Sequence, residues 1–171
     1  KTYKLVVYNI RKGESMSHKQ PTLYIVVPCY NEEAVLAETA KQLSAKLQEL
    51  VQKKQIHSDS KIMFVNDGSK DQTWSKICDL HKKNSDIVGI SLSRNRGHQN
   101  ALLAGLMTAK TRADSVISMD ADLQDDINVI DQMLEKYQDD AEIVYGVRSS
   151  RQKDSWFKRT TAEGFYKFMK L

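Results

Sequence analysis

The chain is 171 residues long, 40% hydrophobic and 28% charged, with two prolines and seven glycines, a composition of globular domains that excludes disordered, collagen-like and low-complexity classes. No run approaches the roughly 18 to 20 apolar residues that a bilayer span requires, and no charged-then-apolar leader ends in a small-residue cleavage site. The net charge of +4 gathers at the two ends, from Lys1 to Lys19 and from Arg148 to Lys170; such ends suit nucleic acid, anionic lipid, a phosphorylated ligand or plain water, and charge alone does not choose among them.

Residues 1–20 read as a leader or an appended segment, with Met16 as a natural start; the apolar alternation of Lys4 to Ile10 would otherwise add an extra edge strand. From Thr22 the pattern becomes regular. Thr22–Val27 is β-branched and ends at Pro28, after which Leu36, Ala40, Leu43, Leu47 and Leu50 recur at helical spacing. Lys61–Val65 then precedes a helix through Trp74, Ile77, Cys78 and His81, and Ile87–Leu92 precedes one through Ala101, Leu102, Gly105, Leu106 and Ala109. Ser115–Met119 leads to a helix with Ile127, Ile130, Met133, Leu134 and Tyr137, and Glu142–Val147 reads as a last strand. Alternating strands and helices predict an α/β domain over 21–150, with a mostly parallel, Rossmann-like sheet flanked by helices on both faces. Asp154–Leu171 carries Trp156, Phe157, Phe165, Tyr166, Phe168 and Met169 among basic residues, a basic amphipathic helix that would lie on a membrane interface or pack on protein. Cys29 and Cys78 match no CxxC or zinc spacing and read as reduced thiols, which suits a cytosolic setting.

In such a sheet the ligand crevice lies beyond the carboxyl ends of the strands, so the polar loops there carry the chemistry. Asp120 and Asp122, one residue apart at a strand end, can present both carboxylates to one hard cation, Mg²⁺ or Mn²⁺, bridging a diphosphate; a DxD is also an ordinary turn or helix cap. Asp67, before Gly68, can accept hydrogen bonds from a base or ribose, or simply close a strand-to-helix turn, with Asp71 capping the helix that follows. Arg94, Arg96, His98 and Arg148 could set positive charge near phosphates, though each alone is more often a surface residue. The chain contains no GxGxxG and no GxxxxGK[ST], and no Ser or Cys nucleophile motif accompanies His98, which argues against dinucleotide, P-loop and triad chemistry.

Taken together, Ile25-Val26-Val27-Pro28-Cys29-Tyr30-Asn31-Glu32-Glu33, Val65-Asn66-Asp67-Gly68-Ser69-Lys70-Asp71-Gln72-Thr73, Ser93-Arg94-Asn95-Arg96-Gly97 and Met119-Asp120-Ala121-Asp122-Leu123-Gln124-Asp125 resemble family-2 glycosyltransferases of the GT-A fold. The resemblance is strongest to the polyprenyl-phosphate branch, which includes dolichol-phosphate mannose synthase and bactoprenol glucosyltransferases. It implies an inverting, metal-dependent hexosyltransferase that takes a nucleotide-diphosphate sugar, UDP-glucose-like, to a polyprenyl phosphate. By the same resemblance Pro28, Tyr30, Glu32, Asp67, Arg94, Gly97 and Asp120 bind the nucleotide. Asp120, Asp122 and Gln124 hold Mg²⁺ or Mn²⁺, and Asp122, Asp125 and Arg148 serve catalysis. Arg159 and the Phe165-Tyr166 pair resemble the start of an acceptor-side interface helix over 151–171, followed in that branch by membrane helices, so that the whole protein would sit on the cytoplasmic side of the cell membrane. The branch usually has proline after the position of Asp125, where this chain has Asp126. Three alternatives stay open: a saccharide or protein hydroxyl as acceptor, with Asp125 as base; a sugar-phosphate nucleotidyltransferase; and a non-catalytic nucleotide-sugar-binding module. A nucleic-acid partner is not expected, and a homo-oligomer is left open.

Overall fold

The computed structural model describes residues 6–9, 20–122, 126–139 and 141–146. In chain order the elements are β1 (Val6–Asn9), β2 (Leu23–Cys29), α1 (Leu36–Gln52), β3 (Lys61–Asn66), α2 (Thr73–Lys83), β4 (Ile87–Ser91), α3 (His98–Ala109), β5 (Ser115–Ser118), α4 (Val129–Gln138) and β6 (Ile143–Tyr145). They form one six-stranded sheet in the order β4-β3-β2-β5-β1-β6. The four strands β4, β3, β2 and β5 run parallel, while β1 lies antiparallel to both β5 and β6.

The alternation of side chains along each strand sorts the core into two layers. Ile25, Val27, Ile62, Phe64 and Ile117 face the helices α1 and α4, with Leu36, Leu43, Leu47, Leu50, Ile130, Met133 and Leu134. Tyr24, Val26, Met63, Val65 and Val116 face α3 through Ala101 and Ala109. The sheet is therefore covered on both faces, as the strand–helix alternation predicts.

Two details differ from the sequence-based expectation. The first strand is internal rather than an edge: Tyr8 pairs with Val116 on one side and Ile143 on the other. β2 also runs two residues past Val27, through Pro28, which pairs with Val65. Proline is tolerated there because the β2–β5 ladder ends at Val26 and Ser118, and an amide on Pro28 would point to that vacated side.

One buried charge ties the helical layer together. Lys46, on the inner side of α1 and 5% exposed, pairs with Asp131 of α4, and its ammonium is also 3.2 Å from Glu49. Burial pushes the Asp131 carboxyl up, but the hydrogen bond and charge of Lys46, then the charge of Lys53, hold it below its ordinary range. A carboxyl depressed on folding adds stability above its unfolded pKa of roughly 3.9 and loses it as pH falls through the lower folded value. Asp131→Asn should therefore destabilise the chain by about 1–2 kcal/mol at pH 7, less than a fully buried pair because Glu49 still faces Lys46. Denaturant unfolding across pH should show the difference between variant and wild type closing below about pH 3.9; a difference unchanged at pH 2 would contradict the pairing.

Candidate active site

Because β2, β3, β4 and β5 are parallel, their carboxyl ends share one edge of the sheet, and the four motif loops all leave from it. The first two loops are stitched together through backbone groups. The Asn31 amide donates to Ser69 Oγ at 3.0 Å, and the Lys70 amide returns a bond to Asn31 Oδ1 at 2.9 Å. The Glu32 amide donates to Thr73 Oγ1 at 2.9 Å, the Glu33 amide to Asp71 Oδ2 at 3.1 Å, and the Gln72 amide to Glu33 Oε2 at 2.8 Å. α2 begins at Thr73 with Gln72, not Asp71, at its N-cap; Asp71, one residue earlier, accepts from the Thr73 amide at 3.0 Å, and the same carboxylate also holds the neighbouring loop.

The third loop hangs on Asp67. This side chain is 2% exposed, and its two oxygens accept the amides of Arg96, at 2.7 Å, and Gly97, at 2.9 Å. Two amide donors satisfy much of what a buried carboxylate needs. The neighbouring Gly68 has φ +63°, and a Cβ there would fall 2.3 Å from the carbonyl carbon of Arg94. Only glycine allows the β4–α3 loop to lie this close to the β3 loop. Gly97 has φ +88° and immediately precedes α3.

The fourth loop carries the acids. Ala121 is 4% exposed and packs in the core, while Asp120 is partly exposed and Asp122 exposed on either side of it. The buried Thr39 hydroxyl of α1 donates to the Ala121 carbonyl at 2.6 Å. His98, the first residue of α3, places Nε2 3.8 Å from Asp120 Oδ1. Glu32 joins the cluster from the first loop: burial, then the charges of Asp122, Asp71 and Asp120, raise its carboxyl above the ordinary range. Negative charge thus converges where β2 and β5 end, an arrangement that a cation relieves.

Among the described residues no group of three or more His, Cys, Asp or Glu side chains is set to hold a metal ion. A carboxylate pair suffices for a magnesium-type ion, which keeps waters and takes its remaining oxygens from a bound phosphate. Asp120 and Asp122, of hard-oxygen chemistry and in a concentrated negative field, fit that role.

Of the residues singled out in the sequence, Tyr30, Glu32, Asp67, Arg94, Gly97, Asp120 and Asp122 lie on or beside this rim. Pro28 is buried in β2. Gln124, Asp125, Arg148, Arg159, Phe165 and Tyr166 lie outside the described residues. The sequence does not single out Thr39, and it carries Ser69 and Thr73 in the second motif without showing that they clasp the first loop. Thr39 sits amid the apolar stripe of α1, and a buried polar residue at a core position was the available signal.

Asp67→Asn replaces one acceptor oxygen with a donor facing an amide. It should cost about 2–3 kcal/mol, the scale of hydrogen bonds to a buried charge, and speed amide exchange at Arg96 and Gly97. Wild-type stability with unchanged exchange at those two amides would contradict this role.

The sequence from residue 24 to residue 170 matches the model of glycosyl transferase family 2. The chain is 56% identical over 154 residues to the uncharacterized glycosyltransferase YkoT of Bacillus subtilis, covering 90% of this chain and 46% of that protein. It is 43% identical over 143 residues to the bactoprenol glucosyl transferase of Shigella phage SfV, covering 84% of this chain and 44% of that protein. The chain thus spans less than half the length of these relatives. Among solved structures its fold is similar to that of Staphylococcus aureus TarS 1-349, with a TM-score of 0.53 at 19% identity over 69% of this chain and 32% of that one. With the family model matching residues 24–170 and a fold of parallel strands and helices presenting four motif loops on one rim, this chain belongs to glycosyl transferase family 2.

Proposed function

We propose that the strand-end rim is the donor site of an inverting hexosyltransferase, and that the protein moves a hexose from a nucleotide-diphosphate sugar to a polyprenyl phosphate. The observation that carries this reading is the joining of four loops into one rim, with Asp67 buried beneath it and the acids Asp120 and Asp122 at its β5 end. The relatives named bactoprenol glucosyl transferase favour the lipid acceptor and a glucosyl donor, for which we take a UDP-glucose-like nucleotide sugar.

In this reading Tyr30 and Glu32 contact the nucleoside from the first loop, with Pro28 as the rigid end of the strand that presents them. Asp67, the acid that the motif likeness assigns to the nucleotide, sets the β4–α3 loop against it from beneath the rim. Arg94 and Gly97 close the same side. Asp120 and Asp122 would hold Mg²⁺ or Mn²⁺, which when bound supplies charge neutralisation to the departing diphosphate. The acceptor phosphate arrives already anionic, so attack at the anomeric carbon in line with the leaving group needs no strong protein base. Gln124 as a further metal ligand, Asp125 and Arg148 at the reacting end, and 151–171 as a membrane-facing helix complete the proposal. The whole protein would then work at the cytoplasmic side of the cell membrane.

The test is transfer of labelled glucose from UDP-glucose to a polyprenyl phosphate in detergent with Mn²⁺. Label should enter the lipid fraction with the anomeric configuration inverted, and Asp120→Ala with Asp122→Ala should lower the rate on the order of 100-fold or more. Retained configuration, or equal rates in the double variant, would contradict the mechanism.

A further inference from the structure

We propose that Thr39, on α1, is a positioning residue for the Asp120–Asp122 pair, setting the aim of both carboxylates by gripping the peptide between them. The inference rests on the donor-site reading above and assigns to that site a residue remote from its motifs in sequence.

The Thr39 hydroxyl lies 2.6 Å from the carbonyl oxygen of Ala121 and 3.0 Å from that of Val35, one turn back on its own helix. A hydroxyl has one proton, and the shorter separation assigns it to Ala121. Thr39 is fully buried, so water does not compete for that bond and its loss would leave a buried carbonyl without its donor. The site of the grip matters more than its strength. β5 ends at Ser118, and the last backbone bond tying its exit to β2 is from the Met119 amide to the Val26 carbonyl, at 3.0 Å. Beyond Met119 the strand ladder no longer fixes the chain, and Asp120 and Asp122 branch from the residues on either side of Ala121. Fixing the Ala121 carbonyl fixes the plane of the peptide that joins Ala121 to Asp122.

The Ala121 methyl is held as well, packed in the same core cluster as Leu36, Ala40 and Leu43 of α1. The residue between the two acids is thus anchored to α1 by a hydrogen bond and buried in the core that α1 lines, and the acids flank it on the rim. A valine at position 39 would keep the shape and the apolar contact while deleting the proton. A serine would keep the proton and lose one methyl.

Groups that orient metal ligands without touching the metal commonly cost about 10- to 100-fold in metal affinity when removed. Thr39→Val should therefore weaken Mn²⁺-dependent binding of uridine diphosphate by about tenfold, while nucleotide binding without metal stays at the wild-type level. Thr39→Ser should restore the metal-dependent part. Calorimetric titration of the full chain reads all three, with Asp120→Ala plus Asp122→Ala as reference and melting curves establishing that each variant is folded. Wild-type metal-dependent affinity in folded Thr39→Val, while the double aspartate variant has lost it, would overturn the role of Thr39 alone. A tenfold loss in Thr39→Ser, which retains the hydroxyl, would also overturn it. Absence of any Mn²⁺-dependent binding in the wild type would overturn the donor-site reading, and the positioning role with it.

Discussion

A buried carboxylate holds two amides of the loop between β4 and α3. Asp67 sits at the end of a central strand, and its oxygens meet the Arg96 and Gly97 amides just before α3 begins. The β4–α3 loop passes so close to Gly68 that no side chain fits between them; its start is tied to β3 by the Leu92 amide on the Asn66 carbonyl at 2.9 Å, and the Asp67 carboxylate holds its far end. His98 follows immediately, and its imidazole reaches the Asp120 side. A path from β3 to the acids beyond β5 therefore runs through this charged contact and the first residue of a helix.

Electrostatics give the rim its character. Burial, then three neighbouring carboxylates, raise Glu32, a crowding of negative charge that a cation with its phosphate ligand would relieve. The opposite solution is seen behind it, where Lys46 buries its charge against Asp131 and Glu49 and braces α1 to α4. The same α1 carries Thr39 to the Ala121 carbonyl. A helix neutralised on its inner face and pinned to the core is a rigid support from which to hold the acidic loop, and rigidity of support is what metal and phosphate sites require.

Much of this was legible in the sequence, for identifiable reasons. Five strands and four helices followed from period-two and period-three-to-four apolar patterns because both sheet faces are covered, and the strand-end placement of the motifs followed from parallel topology. The placement of β1 was not legible: Lys4–Ile10 has the alternation of a strand, but pairing with both β5 and β6 depends on register across more than a hundred residues. Pro28 obscured the end of β2, since its missing amide matters only if a partner strand continues beside it. The sequence presents Asp67 as an acid that meets a base or ribose or closes a strand-to-helix turn, and in the folded chain it is a structural anchor for a different loop. That role rests on backbone amides 29 and 30 residues away, which carry no side-chain signature.

The central claim is that this rim, and no other part of the surface, receives a nucleoside diphosphate with its metal. Amide chemical-shift mapping of the isotopically labelled chain with uridine diphosphate tests it most directly, first with Mg²⁺ and then with Mn²⁺ as a paramagnetic probe. The account predicts shifts clustered at Tyr30–Glu33, Asn66–Ser69, Arg94–His98 and Met119–Asp122, with Mn²⁺ broadening centred on Asp120 and Asp122. Perturbations centred on the outer face of α3 or on the opposite edge of the sheet, or none in a folded chain at saturating nucleotide, would contradict it.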